Sequence, residues 1–392
     1  MSAAVPQPEL AKALEVRVSP NGIVTFWRGR VALYAILKAL GIGRGDVVLT
    51  PGFTCFAVPA AVCFCGARPV YVDIDPETYN ITLDSVRNAY GLAPRGAVRA
   101  VLVQHTFGLP ADIEAICAWA RERQIAVIED CAHVLGSRFR GIDGDWREAG
   151  STGDAAFFSS QWTKPVTTGL GGWARINRPD LLEKVRAFRS GHCVAPSARE
   201  TLSLAVQVAA RTAFSSPSLF WRAQTLYQRL YGAGVVVGTS SPEELRGEMP
   251  KGYAKRMSRF QERLLQHRLA DDSVQQHRRR LKPLYDAALQ AAGLPTATVP
   301  DGCDPVLLRY PIRVGNKARA MDEARRRRID LGDWYKHPID RPEGLSGETF
   351  GYREGMCVEG ERAAGQVVNL PMHQRIDEQA VEKIVRFVKE VA

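Results

Sequence analysis

From about residue 25 to residue 180 the chain alternates two apolar rhythms. Stretches with helical spacing, among them VALYAILKAL (31–40), AVPAAVCFC (57–65) and ADIEAICAWARERQ (111–124), take turns with short apolar runs: DVVLTP (46–51), PVYVDI (69–74), AVRAVLVQ (97–104), AVIED (126–130), DAAFFSS (154–160) and GGWARI (171–176). Short runs joined by helix-period segments predict strands with helical crossovers, hence an α/β domain around a mostly parallel sheet. DLLEKVRAFRS (180–190) adds a helix, after which the rhythm breaks. Residues 196–251 mix apolar stretches, a run of aromatics and arginines, and the turn-rich TSSPEELRGEMPKG, and read as an insertion or mobile segment. From Tyr253 a charged helical pattern continues to about Ala292. PVLLRYPIRV, ARAMDEARRRRID and DEQAVEKIVRFVKEV then predict a strand and two helices. The expected organisation is a large α/β domain over 1–195, the insertion over 196–251 and a smaller α+β domain over 252–392.

Composition narrows the class. With 45% apolar and 24% charged residues the chain is too apolar for general disorder. Eight cysteines form no C-x-x-C pair, which points to reduced core thiols in the cytoplasm and to no metal site. No window of about 18 apolar residues occurs, so no transmembrane segment is expected, and the opening residues lack the pattern of a signal peptide. The net charge of +10 suits a phosphorylated ligand, yet much of it lies in the helical runs RRRR (325–328) and HRRR (277–280). No aromatic-interleaved basic motif accompanies it, so nucleic acid is not an expected partner.

Candidate chemistry sits at strand ends, where ligands collect in parallel sheets. GIGRGD (41–46) lacks the third glycine of a dinucleotide fingerprint and precedes its strand, so it is set aside. AVIED ends in Glu129 and Asp130, with His133 three residues on. Lys164 follows the strand that ends in Ser159 and Ser160, and it stands before a Thr/Gly-rich loop. A strand-end lysine can simply cover apolar surface with its stem, and a strand-end carboxylate can cap a helix. A lysine, an aspartate and hydroxyls at one sheet edge also meet the demands of a pyridoxal phosphate site: an amine for the Schiff base, a carboxylate for the pyridine nitrogen, and donors for the phosphate. In WRGRVAL, Gly29 and Arg30 open a helix, where free amides favour an anion; Arg30 can equally be a plain surface residue.

In order along the chain, GIGRGDVVLTPGFTCFAVPAAV, GARPVYVDIDPETYNI, HTFGLPADIEAI, VIEDCAHVLGSRFRG, GSTGDAAFFSSQWTKPVTTGLGG and NLPMHQRIDEQAVEKI resemble successive motifs of the DegT/StrS-type (DegT/DnrJ/EryC/StrS) sugar aminotransferases. The resemblance implies the aspartate aminotransferase type fold (pyridoxal-phosphate fold type I), a large mostly parallel-sheet domain with a smaller C-terminal one. It implies pyridoxal 5'-phosphate as cofactor, glutamate or glutamine as amino donor, a keto-sugar as acceptor, usually nucleotide-linked, and a homodimer. Lys164 resembles the Schiff-base lysine and Asp130 the carboxylate on the pyridine nitrogen. His133 occupies the place near the cofactor's 3-oxygen, Ser159 that of the phosphate-binding serine, and Gly29 and Arg30 the phosphate turn; Gln161 stands where many members have histidine or tyrosine.

Three departures stand out. Cys55 replaces the aromatic residue that covers the cofactor ring, so either Phe56 takes that task or the ring is covered differently. In GYAKRMS (252–258) Ala254 replaces an asparagine that reaches the neighbouring subunit's phosphate, leaving Lys255 or Arg256 to compensate. The stretch 196–251 is longer than the family's, and its residues 217–235 read as a helix packed on the domain or at a dimer contact, with membrane-surface contact as the lesser alternative. Arg256, Trp334, Tyr335 and His337 are candidate substrate contacts. Two other functions stay open: a pyridoxal-phosphate sugar dehydratase, which is expected to replace the lysine, and a non-catalytic regulatory protein of the same fold.

Overall fold

The computed structural model describes residues 22–213 and 238–392; the candidate helix at 217–235 lies outside them. Seven runs form one sheet. In chain order its strands are β1 (Ile23–Phe26), β2 (Val47–Pro51), β3 (Arg68–Val72), β4 (Val98–Gln104), β5 (Ala126–Asp130), β6 (Ala155–Ser159) and β7 (Gly172–Ile176). Across the sheet they lie in the order β1-β7-β6-β5-β4-β2-β3. Strands β3, β2, β4, β5 and β6 are parallel, whereas β7 runs antiparallel to both β6 and β1. Central strands read as near-continuous apolar runs because both faces are covered: Val101 and Val103 face one core, Ala100 and Leu102 the other.

This topology brings the carboxyl ends of β1, β4, β5 and β6 to one edge. In the register, Phe26 opposes Gly172 and Gly172 opposes Ser159, which sets the helix Gly29–Ala39 directly over the end of β6. A Cβ on Gly172 would lie 2.3 Å from the Gly29 backbone, so this close approach requires glycine.

The helical pattern from Tyr253 resolves into two helices, Arg259–Ala270 and Ser273–Ala291. The break falls at Asp271 and Asp272; Asp271 leaves helical geometry and its carboxylate accepts the Ser273 N–H, the local competition by which aspartate interrupts helices. Helix Arg259–Ala270 packs Leu265 and Leu269 with Phe158 and Trp173 of the sheet. A separate core, with Tyr285, Tyr310, Ile312, Leu370, Ile384 and Val388, surrounds a two-stranded antiparallel ladder, β8 (Arg309–Arg313) and β9 (Val367–Pro371). Loop 332–340 between them returns to the sheet edge, where Ile339–Asp340 pairs in parallel with Thr54–Cys55.

Among the described residues, no helix is long and apolar enough to cross a membrane. Within the stretch 196–251, Ala198–Ala213 is helical and residues 238–248 come back to the sheet edge.

Candidate active site

At that edge lies a cavity partly open to solvent. Gly29, Arg30, Cys55, Asp130, His133, Ser159, Gln161 and Lys164 all line it, together with Tyr335 and Thr239. Phe56, Trp334, Arg256 and His337 do not.

Neighbouring side chains on a strand point to opposite faces, and this decides the fate of two adjacent carboxylates. Glu129 is buried away from the cavity. It accepts N–H bonds from Gly150 (2.7 Å), Thr152 (2.8 Å) and Gly153 (2.7 Å), and the His105 ring nitrogen lies at 2.9 Å. Burial alone would push its carboxyl up, but His105 and these amides hold it below the ordinary range. Asp130 faces the cavity, 3% exposed, with one bond from the Ala132 N–H at 2.9 Å. Burial raises its pKa from 3.8 to about 6, against the pull of that amide and of Lys164. It is a carboxyl short of partners, the state expected of a group awaiting a cation.

Lys164 follows β6 in a turn closed by its own amide on the Gln161 carbonyl, 3.0 Å. Burial lowers the pKa of its amine; Cys55 and Asp130 oppose this, while Arg309 and Arg30 add to it. The Nζ sits 4.7 Å from the centre of the Trp334 ring, and the Arg309 guanidinium 4.8 Å from the same centre. Trp334 therefore borders the lysine although it lies outside the cavity wall.

His133 is fixed from both sides. Its Nδ1 accepts the Phe107 N–H (3.3 Å), so the neutral ring carries its proton on Nε2 and donates to the Tyr335 hydroxyl, 3.1 Å away. Burial, Lys164 and Arg309 keep its pKa well below 6.5, so the ring is neutral. Trp334 stacks on it at 5.1 Å.

Of the two serines, Ser160 is turned inward onto Thr168 (2.8 Å) and Ser159 is left to the cavity. The helix Gly29–Ala39 presents its unpaired first-turn amides there. Its arginines are already engaged: Arg28 and Arg30 both pair with the buried Glu244, at 3.0 and 2.6 Å, and also donate to the carbonyls of Gly238 and Thr239. Arg30 is thus an ion-paired wall residue and no free surface cation. Glu244 escaped the sequence reading, though Ser241 lies three residues before it. Reciprocal bonds, Ser241 N–H to the carboxylate and Glu244 N–H to the hydroxyl, form the capping box that this spacing signals.

The departures resolve as follows. Cys55 lines the cavity, whereas Phe56 turns the other way onto Phe350 (6.2 Å) with Arg30 above its ring (5.5 Å), so Phe56 does not cover a ligand here. Lys255 pairs with Glu200, and the Arg256 amide bonds to the Val194 carbonyl (2.9 Å); neither side chain lines the cavity. His337 is exposed on its loop. Arg309, whose guanidinium lies over the Trp334 ring, was not singled out from sequence; nothing local distinguishes it from the nearby Arg313.

This donor set suits pyridoxal phosphate: an amine of lowered basicity, a buried carboxyl short of partners, and a hydroxyl beside a helix amino end. Comparisons with known proteins agree. A match to the DegT/DnrJ/EryC1/StrS aminotransferase family spans residues 9–216 and 221–389. The chain is 40% identical over 161 residues to GDP-perosamine synthase of Caulobacter vibrioides, an alignment covering 41% of each chain. It is 28% identical over 373 residues to a pleiotropic regulatory protein of Geobacillus stearothermophilus, covering 93% of this chain and 84% of that one. Among solved structures, S. venezuelae DesV matches with a TM-score of 0.72 at 25% identity, covering 99% of this chain and 89% of the other. With fold, cavity and motifs in agreement, the chain belongs to the DegT/DnrJ/EryC1/StrS aminotransferase family, a family of pyridoxal-phosphate enzymes.

Proposed function

We propose that this protein moves an amino group from glutamate or glutamine to a keto-sugar, nucleotide-linked, in the making of polysaccharide or secondary-metabolite sugars. One observation carries the reading: Lys164 and Asp130, delivered by adjacent parallel strands, face one cavity with their acid–base properties displaced in opposite directions. Similarity to a GDP-perosamine synthase supports the sugar.

When bound, pyridoxal phosphate supplies an aldehyde that captures amines and a protonated ring that takes up the electron pair left by a broken C–H bond. Asp130 is the group to hold that ring's nitrogen protonated, its charge gaining the partner it lacks. Lys164 would hold the aldehyde through its amine, and the same amine would carry the proton from the donor's α-carbon. Ser159 and the amides at Gly29 and Arg30 would hold the phosphate, and Gln161 and Cys55 line the same cavity. His133, locked neutral, would orient the cofactor ring from the cavity wall. Trp334 and Tyr335 exclude water above the lysine, with Arg256 and His337 further out toward the acceptor. The basic surface suits a diphosphate, and the working unit is a homodimer in the cytoplasm.

Adding L-glutamate to the purified protein tests this. A band above about 400 nm should give way to one near about 330 nm, and a keto-sugar nucleotide should restore it. A second reading, a regulatory protein that holds the cofactor, is favoured by the long alignment with the Geobacillus protein. A band indifferent to glutamate and glutamine would select it.

A further inference from the structure

The buried cation Lys317 has no part in the chemistry above. It opens the helix Lys317–Arg326, where the macrodipole disfavours positive charge, and it is only 9% exposed. Nothing about the helix calls for a lysine there. Its ammonium donates to three main-chain carbonyls, those of Asp333 (3.1 Å), Tyr335 (2.7 Å) and Ala364 (2.9 Å).

Two of those carbonyls belong to the turn that carries Trp334 and Tyr335. This turn is pinned at its start by Gly332, which exchanges two backbone bonds of 2.8 Å with Asn369, and at its end by the pairing of Ile339–Asp340 with Thr54–Cys55. Between these anchors the Trp334 N–H reaches the Asn369 side chain (2.9 Å), and Lys317 gathers the carbonyls on either side. The geometry points to Lys317 as a positioning residue: its ammonium fixes the turn that lays Trp334 over Lys164 and the Tyr335 hydroxyl against His133. The inference rests on the site assignment proposed above.

An ammonium has three donors, one for each carbonyl. The neutral amine has two, and its lone pair would face a carbonyl oxygen. Burial lowers the pKa of Lys317 from 10.5 to about 8; Asp333 and Asp340 oppose the shift, and Lys336 adds to it. The exposed His337 is the other titratable group of this loop facing it. Between about 8 and 10.5 the folded protein binds fewer protons here than the unfolded chain, so this group adds global stability as pH rises. By the same sign, loss of the proton favours the closed turn over any opened state in which the amine is solvated, so raising the pH past about 8 does not loosen it.

Hydrogen exchange on the cofactor-free protein reads the turn directly. Residues 332–340 are followed by mass spectrometry in wild type, Lys317→Met and Lys317→Arg, all at pH 7 so that base catalysis cancels. At pH 7 the methionine variant should exchange this segment about tenfold faster or more, and the arginine variant, still cationic, should stay near wild type. Equal exchange of wild type and Lys317→Met at pH 7 overturns the inference. Should that variant not fold, equal exchange of wild type and Lys317→Gln at pH 7 overturns it instead. In the holoenzyme, Lys317→Met should lower kcat and Lys317→Arg should restore most of it. The exchange readout needs neither cofactor nor glutamate, so failure of the functional reading leaves it interpretable.

Discussion

Lys164 and Asp130 make separable predictions. Lys164→Ala should abolish the visible band of the bound cofactor and lower turnover by about 10³-fold or more, as measured by absorbance and initial rates; full activity would remove it from the mechanism. Asp130 is raised to about 6 by burial, so the folded protein holds an extra proton between about pH 4 and 6. The stability this proton brings is complete below pH 4 and lost as pH rises through 6. Urea titration of cofactor-free wild type and Asp130→Asn should show wild type losing about 2 to 3 kcal/mol relative to the variant between pH 4 and 7.5. The same variant, which cannot carry the charge, should lose most turnover. These two residues were legible in sequence because their types and their places at strand ends coincide. Phe56, Arg256 and His337 do not line the cavity: Phe56 opens a helix and packs on Phe350, and His337 is exposed on its loop.

Elements between residues 25 and 180 were readable because strand and helix periods differ and each run is bounded by turns. Helix Arg259–Ala270 was fused with its successor in that reading, since both share one polar, period-3.6 pattern and the interruption is a pair of aspartates. The segment 239–247 was opaque for a different reason: its two partners lie more than 200 residues earlier, and no local pattern announces a buried carboxylate. Glu244→Ala should leave Arg28 and Arg30 largely buried without an anion and lower stability by about 2 to 4 kcal/mol in urea unfolding. It should also weaken cofactor retention on dialysis, because the helix start that lines the phosphate end loses its clamp; Glu244→Gln should fall between. Unchanged midpoints in both variants would show the clamp to be dispensable.

At the scale of the whole molecule, a large sheet domain and a smaller ladder meet at the cavity, and both supply its walls. The proposed homodimer predicts a light-scattering mass of twice the chain; a single-chain mass with full turnover would show each chain to be self-sufficient. The stretch 195–253 is held at its two feet. Its chain departs at Val194 and rejoins at Ala254 to Arg256, and the two strands of that doorway are bonded to each other, Val194 N–H to the Ala254 carbonyl at 3.0 Å and Arg256 N–H to the Val194 carbonyl at 2.9 Å. A loop whose feet are held together can double in length for only about 0.6 kcal/mol of closure entropy. Descendants of this sequence are therefore free to lengthen or shorten the chain between those feet as long as Glu244 still reaches Arg28 and Arg30 and Thr239 keeps its place at the cavity.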